Sequence, residues 1–288
     1  MFGEPLFICS RRHSVIIVIM HHRQKPMVSE TYKPPVDKLL TYADCSKLKE
    51  LPNYIEEFGF GKEHIPDLIR LATDKNLYET HFDSLEVWAP VHAWRALGQL
   101  RAKEAIEPLI TLFHDIEDDW TNFDLPKSFG LIGEPAIPAL TEYINDDSRE
   151  DYQRFAATSC FFYIAVNYPK LRKICVSILT RKLELYKVNE KEFNAILVEE
   201  LIKLKAVESA SIIKKAFSAR KVDTLLMGNW DDAQVGLGLK TWEEIYCTDG
   251  YELSPFDAML KYSAPELYPF PNASSKKKRK KKKGASSR

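Results

Sequence analysis

Five carboxylates crowd around one tryptophan in the segment HDIEDDWTNFD, residues 114–124: Asp115, Glu117, Asp118, Asp119 and Asp124, with Trp120 among them. Clustered carboxylates can hold a divalent cation, but the D-x-D-x-D-G order of a calcium loop is absent here. They can also attract a basic protein, and a tryptophan ringed by charge is a common anchor of such contacts. These six residues are therefore the candidate partner-binding site. The plainer alternative is a solvated connection whose acids favour the N-terminus of the following helix. Two further acidic stretches, NDDSRED at 145–151 and NWDD at 229–232, would join the first in an acidic ridge if all three line one edge of the molecule.

Other chemistry finds little support. Histidines 13, 21, 22, 64, 81, 92 and 114 show no metal-ligand spacing beyond the adjacent pair His21 and His22. G-x-S-x-G, the P-loop and G-x-G-x-x-G are all missing; GLGL at 236–239 has no strand before it and reads as a helix end. His92 lies in a strongly apolar stretch, where a hydrogen-bonded core histidine is expected. Cys9, Cys45, Cys160, Cys175 and Cys247 are odd in number and scattered, with no C-x-x-C. That pattern predicts reduced thiols in a cytoplasmic protein, with Cys160 and Cys175 in the core. The expectation is no catalytic residue, no metal and no cofactor.

The 41 basic and 41 acidic side chains balance, but they are not spread evenly. Lys276, Lys277, Lys278, Arg279, Lys280, Lys281, Lys282 and Lys283 form an unbroken basic run, whereas residues 27–275 hold 28 basic against 40 acidic residues. An acidic body thus carries a basic tail. The tail cannot bury apolar surface and is expected to be disordered. It suits non-specific binding of a polyanion such as RNA, or folding back onto the acidic body. At the other end, SVIIVIM (14–20) follows Arg11 and Arg12 but is too short to span a membrane, and HHRQKP after it offers no small-residue cleavage site. Residues 1–34 are read as a disordered extension, with Met27 an alternative start.

The elements that must position these residues are helices. Apolar side chains recur at spacings of three and four, and no alternating strand pattern appears. Residues 34–60 read as two short helices. Residues 62–74 read as another, with Ile65, Leu68, Ile69 and Ala72 on one stripe. In 84–100, Ser84 is a capping residue, and Pro90 predicts a kink or a fresh start near Ala89. Asp124 and Asn189 stand where helices over LPKSF and 190–204 would begin. Trp88 and Trp94 read as core. The decisive pattern is repetition. LGQLRAKEAIEPLITLF (97–113) lies on LIKLKAVESASIIKKAF (201–217) at a constant offset, so that Leu97 meets Leu201, Leu100 meets Leu204, Ala102 meets Ala206 and Phe113 meets Phe217. FGLIGEPAIPAL (129–140) repeats it with a shorter turn and Gly130 in place of Gly98. FFYIAVNYPKLRKICVSIL (161–179) is a fourth copy. Helix pairs repeated at this interval bury their apolar faces only on their neighbours, which predicts an all-α, right-handed α-α superhelix over 35–240. Residues 241–272 read as a poorly structured linker and 273–288 as the disordered polybasic tail.

RALGQLRAKEAIEPLITLF resembles the HEAT-like repeat named after phycobilisome lyases, roughly A-L-G-x-L-x-x-x-x-A-I-x-x-L, and FGLIGEPAIPAL resembles it again. The wider run WAPVHAW, DDW, IGEPAIPAL, LKAVESA and GNWDDAQVGLGL is similar to bacterial HEAT-repeat proteins common in cyanobacteria, over about 35–240. The resemblance implies a HEAT/armadillo-like solenoid and carries over no catalytic residue. HEAT-like hydroxylases of the deoxyhypusine type hold iron with His-Glu dipeptides, and this chain has none. The expected function is a non-enzymatic scaffold for a protein partner. The alternatives are a phycobilin lyase or chaperone-like role, implied by the repeat alone, and an RNA- or ribosome-associated factor acting through the tail.

Overall fold

The computed structural model describes residues 32–246 except Phe82 and Glu117. Among the described residues every regular element is helical. In chain order these are α1 (Tyr54–Phe58), α2 (Ile65–Ala72), α3 (Lys75–Tyr78), α4 (Ala89–Gln99), α5 (Ile106–Asp115), α6 (Asp119–Phe123), α7 (Leu125–Ile132), α8 (Ile137–Asn145), α9 (Asp151–Asn167), α10 (Arg172–Leu183), α11 (Lys191–Lys203), α12 (Ala210–Ser218), α13 (Thr224–Met227), α14 (Trp230–Leu237) and α15 (Trp242–Tyr246).

The long helices stack in two rows. In one row α4, α7, α9, α11 and α14 each pack on the next; in the other α2, α5, α8, α10 and α12 do the same. Successive pairs α4/α5, α7/α8, α9/α10 and α11/α12 are the repeating units, and the apolar core runs between the rows. This is the all-α HEAT-like solenoid that the repetition predicts. Its first row is the more enclosed. Every residue of α4 from Ala89 to Gly98 is buried, as a helix covered on all sides must be.

The repeat extends to the backbone. Each pair is joined by a single 3-10 turn, at Lys103–Ala105, Glu134–Ala136, Pro169–Leu171 and Val207–Ser209. Arg101 and its aligned counterpart Lys205 both take left-handed φ values, 52° and 50°. The amides of Ala102 and Ala206 then close on the carbonyls of Leu97 and Leu201 at 3.0 and 2.9 Å. These bonds satisfy helix-end carbonyls that would otherwise be orphaned. Glycine reports how tightly the first row packs. A Cβ on Gly98 would sit 3.0 Å from Ser128 Cα, and one on Gly130 would sit 2.5 Å from Tyr163 Cβ. The aligned glycines therefore let α4 approach α7 and α7 approach α9.

Several local expectations change. The two short helices expected in 34–60 are the 3-10 turns Val36–Thr41 and Cys45–Lys47 followed by α1. Asn53 caps α1 through a bond to the Glu56 amide, and left-handed Gly59 ends it, so only about one turn fits between them. On α2, Leu71 is buried and Ile69 only half-buried. Ser84 does cap, but it opens the 3-10 turn Leu85–Trp88, after which α4 starts afresh at Ala89. Asn189 does not cap α11: it is buried, with Nδ2 donating to Lys182 O and Asn194 Oδ1, both at 3.0 Å. At the aligned pairs, Leu97 and Leu201 are buried, whereas Leu100 and Phe217 are half-buried. Tyr32 is buried against the core ahead of residue 35, and α15 lies within the stretch read as linker. Residues 1–31 and 247–288 lie outside the described residues.

Candidate functional site

The acidic segment is not one continuous loop. Its second half is α6, and the fold separates its six side chains. Asp118 caps α6 by accepting the Thr121 amide at 2.6 Å, and Asp115 pairs with Lys75 at 3.1 Å. Asp124 turns inward. Its Oδ2 accepts Arg95 Nε at 2.9 Å and Trp94 Nε1 at 3.0 Å, and its Oδ1 accepts Arg95 Nη2 at 2.9 Å. Burial acts to raise the Asp124 carboxyl, but the fork of Arg95 outweighs it and holds the group below the usual carboxylate range. Trp120 covers the pair. It meets Trp88 edge-on at 4.9 Å, and the Arg95 guanidinium lies 5.5 Å from its ring centre. Asp124 and Trp120 thus fasten α6 and α7 to α4. Asp119 alone of the described acids in the segment is exposed without a capping or pairing role. Glu117 lies outside the described residues, as do the eight basic residues 276–283.

The other acidic stretches are engaged nearby. Asp147 accepts Lys182 Nζ at 2.8 Å and lies 3.3 Å from Arg154; the Lys182 bond draws its carboxyl below the ordinary value. Asn229 and Asp232 form a capping box at the start of α14. These contacts anchor helix ends.

Where Asp119 does lead is a groove that the sequence did not announce. It has a volume of about 510 Å³ and is lined by Asp119, Asn122 and Phe123 of α6, Phe155 of α9, Glu192, Ala195, Ile196 and Glu199 of α11, and Leu226 and Met227 of α13. Helices α9 and α11 form its floor. The walls are α6 and α13, the short helices in two of the connections between rows. Phe123 stacks edge-on against Phe155 at 5.6 Å yet keeps 57% of its surface exposed, and Leu226 keeps 56%. Leu225 beside it is 92% exposed. Glu199 pairs with Lys203 at 2.7 Å, while no ion pair within the described residues neutralises Asp119 or Glu192. The result is an apolar, aromatic base with an acidic rim. Its residues come from separate repeats, so no local motif could mark it. The two leucines left facing solvent in TLLM were the nearest sequence signal.

Beneath the groove, α11 buries Glu200 completely. Its Oε1 accepts Ser159 Oγ at 2.8 Å and Lys203 Nζ at 3.1 Å, while Oε2 is buried without a hydrogen-bond partner. Desolvation raises its carboxyl pKa, opposed only in part by Lys203. The folded state therefore binds a proton that the unfolded state has released. The contribution of Glu200 to stability is complete below the ordinary glutamate range and is lost as pH rises through the raised value. Glu200→Gln is expected to flatten that fall, and to leave stability at neutral pH equal to or above that of the native chain. Urea titrations at several pH values check this, and an unchanged slope would refute it.

His92 is a core histidine. Its Nε2 donates to Ala43 O at 2.8 Å, which leaves Nδ1 to accept the Tyr54 hydroxyl at 2.7 Å. Cys45 Sγ lies 3.4 Å from Nε2, but burial drives the imidazole down to about 4 and the thiol up to about 12. A nucleophilic pair would need the opposite shifts. Cys160 and Cys175 are buried free thiols. Among the described residues no group of histidine, cysteine, aspartate and glutamate is arranged to hold a metal ion, and no helix is long and apolar enough to cross a membrane.

Comparison with known proteins bears on the repeat itself. The family model of the PBS lyase HEAT-like repeat matches residues 92–115, which cover most of α4, the 3-10 turn after it and all of α5. No curated protein matches the chain, and no solved structure does. The wider likeness to a cyanobacterial family rests on the quoted motifs alone. Because the matched helix pair recurs with the same turn along two continuous rows, the described residues form an all-α solenoid of HEAT-like repeats.

Proposed function

We propose that the protein is a non-enzymatic cytoplasmic scaffold that binds a partner protein in the groove between α6 and α13. The observation that carries this reading is the exposed Phe123 and Leu226, with exposed Leu225 next to the latter, set beside an acidic rim whose Asp119 and Glu192 have no ion pair within the described residues. Large apolar side chains are not left grouped in solvent without cost, and a desolvated aromatic centre with a polar rim is the anatomy of a protein interface. The rim selects a partner segment with basic residues flanking an apolar anchor. The phycobilin-lyase reading draws less support, since an open-chain tetrapyrrole carries carboxylates that this acidic rim repels.

The test compares two faces. Phe123→Glu with Leu226→Glu removes the apolar base of the groove. Lys214→Glu and Lys215→Glu alter exposed positions on α12, in the opposite row. Both variants keep the fold if their circular dichroism and urea midpoints match the native chain. Partners captured from the native cell are expected to be lost from the groove variant and kept by the α12 variant. Equal capture by both would remove the groove from consideration.

A further inference from the structure

We propose that this groove is occupied in cis by residues 267–283 of the same chain, with the apolar LYPFP stretch (267–271) on its base and the basic run (276–283) along its rim. The inference rests on reading the groove as a docking surface and names its resident occupant.

Three observations favour this segment. The first is chemical order. Leu267, Tyr268 and Phe270 supply apolar and aromatic groups for a base of Phe123, Phe155, Ile196 and Leu226. Five residues after Pro271, at Lys276, begin eight consecutive cations, opposite a rim of Asp119, Glu192 and Glu199. Prolines 269 and 271 favour an extended conformation, which limits the entropy lost on docking. The second is charge. Residues 27–275 carry 40 acidic against 28 basic side chains, so the run has an attractive body to return to. On the groove itself, Asp119 and Glu192 keep their charge unpaired within the described residues. The third is reach. Wall helix α13 is followed at once by α14 and α15, and α15 ends at Tyr246. The twenty intervening residues 247–266 span up to roughly 66–72 Å when extended, at about 3.3–3.6 Å each. A tether of that length keeps the segment at about millimolar effective concentration, which favours docking in cis over a second copy at micromolar protein.

High salt should weaken the rim contacts and loosen the segment.

The experiment uses the full chain with Cys9→Ser and Cys247→Ser, and a nitroxide at Ser287→Cys; Cys45, Cys160 and Cys175 are buried. Paramagnetic broadening of methyl resonances is read at Ile196, Leu226 and Met227 in the groove, and at Leu109 and Ile213 in the opposite row. The expected result is broadening confined to the groove at low salt. It should fall several-fold at high salt and disappear with Asp119→Asn, Glu192→Gln and Glu199→Gln combined. Broadening that is absent, uniform across both rows, or unchanged by the neutral variant would overturn the proposal. An isotope-labelled chain mixed with an unlabelled spin-carrying chain completes the test: groove broadening in that mixture would assign the groove to a second copy and overturn docking in cis. A segment that stays away from the groove would leave the partner-binding reading standing, because the two-face capture does not depend on it.

Discussion

Asp124→Ala is expected to cost about 3–5 kcal/mol of folding stability, the range for removing one partner of a buried ion pair. The loss is large because Arg95, with a side chain only 10% exposed, would keep its charge and lose both bonds of its carboxylate fork, while Trp94 Nε1 would lose its acceptor. Replacing both members of the pair by apolar residues, as in Arg95→Met with Asp124→Leu, should recover most of the loss, since the penalty lies in the orphaned charge. The pH dependence has a definite sign. The folded carboxyl of Asp124 lies below its unfolded value, so its contribution is complete above the unfolded pKa and is lost as pH falls through the folded one. The variant should therefore approach the native chain in stability toward acid. Urea unfolding at neutral and acid pH measures this, and a loss below about 1 kcal/mol at neutral pH would show that the pair is not structural.

The second large effect concerns the aligned core positions. Leu97→Ala and Leu201→Ala should each cost about 2–5 kcal/mol, because both side chains are fully buried at equivalent places in their units. Leu100→Ala should cost less than either, since Leu100 is half-buried beside the solvent-facing turn. Helices α7 and α9 stand between the two sites along the row, so the costs should add to within about 0.5 kcal/mol in the double variant. If Leu97→Ala and Leu201→Ala were both nearly neutral, the alignment would not mark the core.

Architecture was legible because repetition multiplies a weak local signal. A single amphipathic stretch such as 97–113 is compatible with many folds, but the same spacing of Leu, Ala, Glu and Phe at 201–217 imposes the same turn and the same buried face. The agreement reaches the left-handed backbone of Arg101 and Lys205, although neither residue type suggests it. Capping was legible in part. Ser84 was identified, whereas Asn189 and Asp124 were drawn inward by buried partners, because tertiary hydrogen bonds compete with local ones for the same short side chains. The proposed binding surface was least legible. Local crowding of charge drew attention to residues 114–124, yet Asp124, Asp118 and Asp115 are engaged in packing, capping and pairing. Of the described acids in the segment only Asp119 reaches the groove, beside Asn122 and Phe123, where it meets residues from α9, α11 and α13. Such a surface exists only after the units stack, so no contiguous sequence encodes it.

The proposed partner surface between α6 and α13 arises only from the stacking of HEAT-like units. Site-specific photo-cross-linking in the native cell tests it most directly, with the photoreactive residue placed at Asn122 in the groove or at Lys214 on α12. The account predicts a discrete intermolecular adduct from Asn122 that is absent from Lys214 and is lost when Phe123→Glu and Leu226→Glu are introduced. Adducts of equal yield from both positions, or an Asn122 adduct indifferent to those two substitutions, would contradict it.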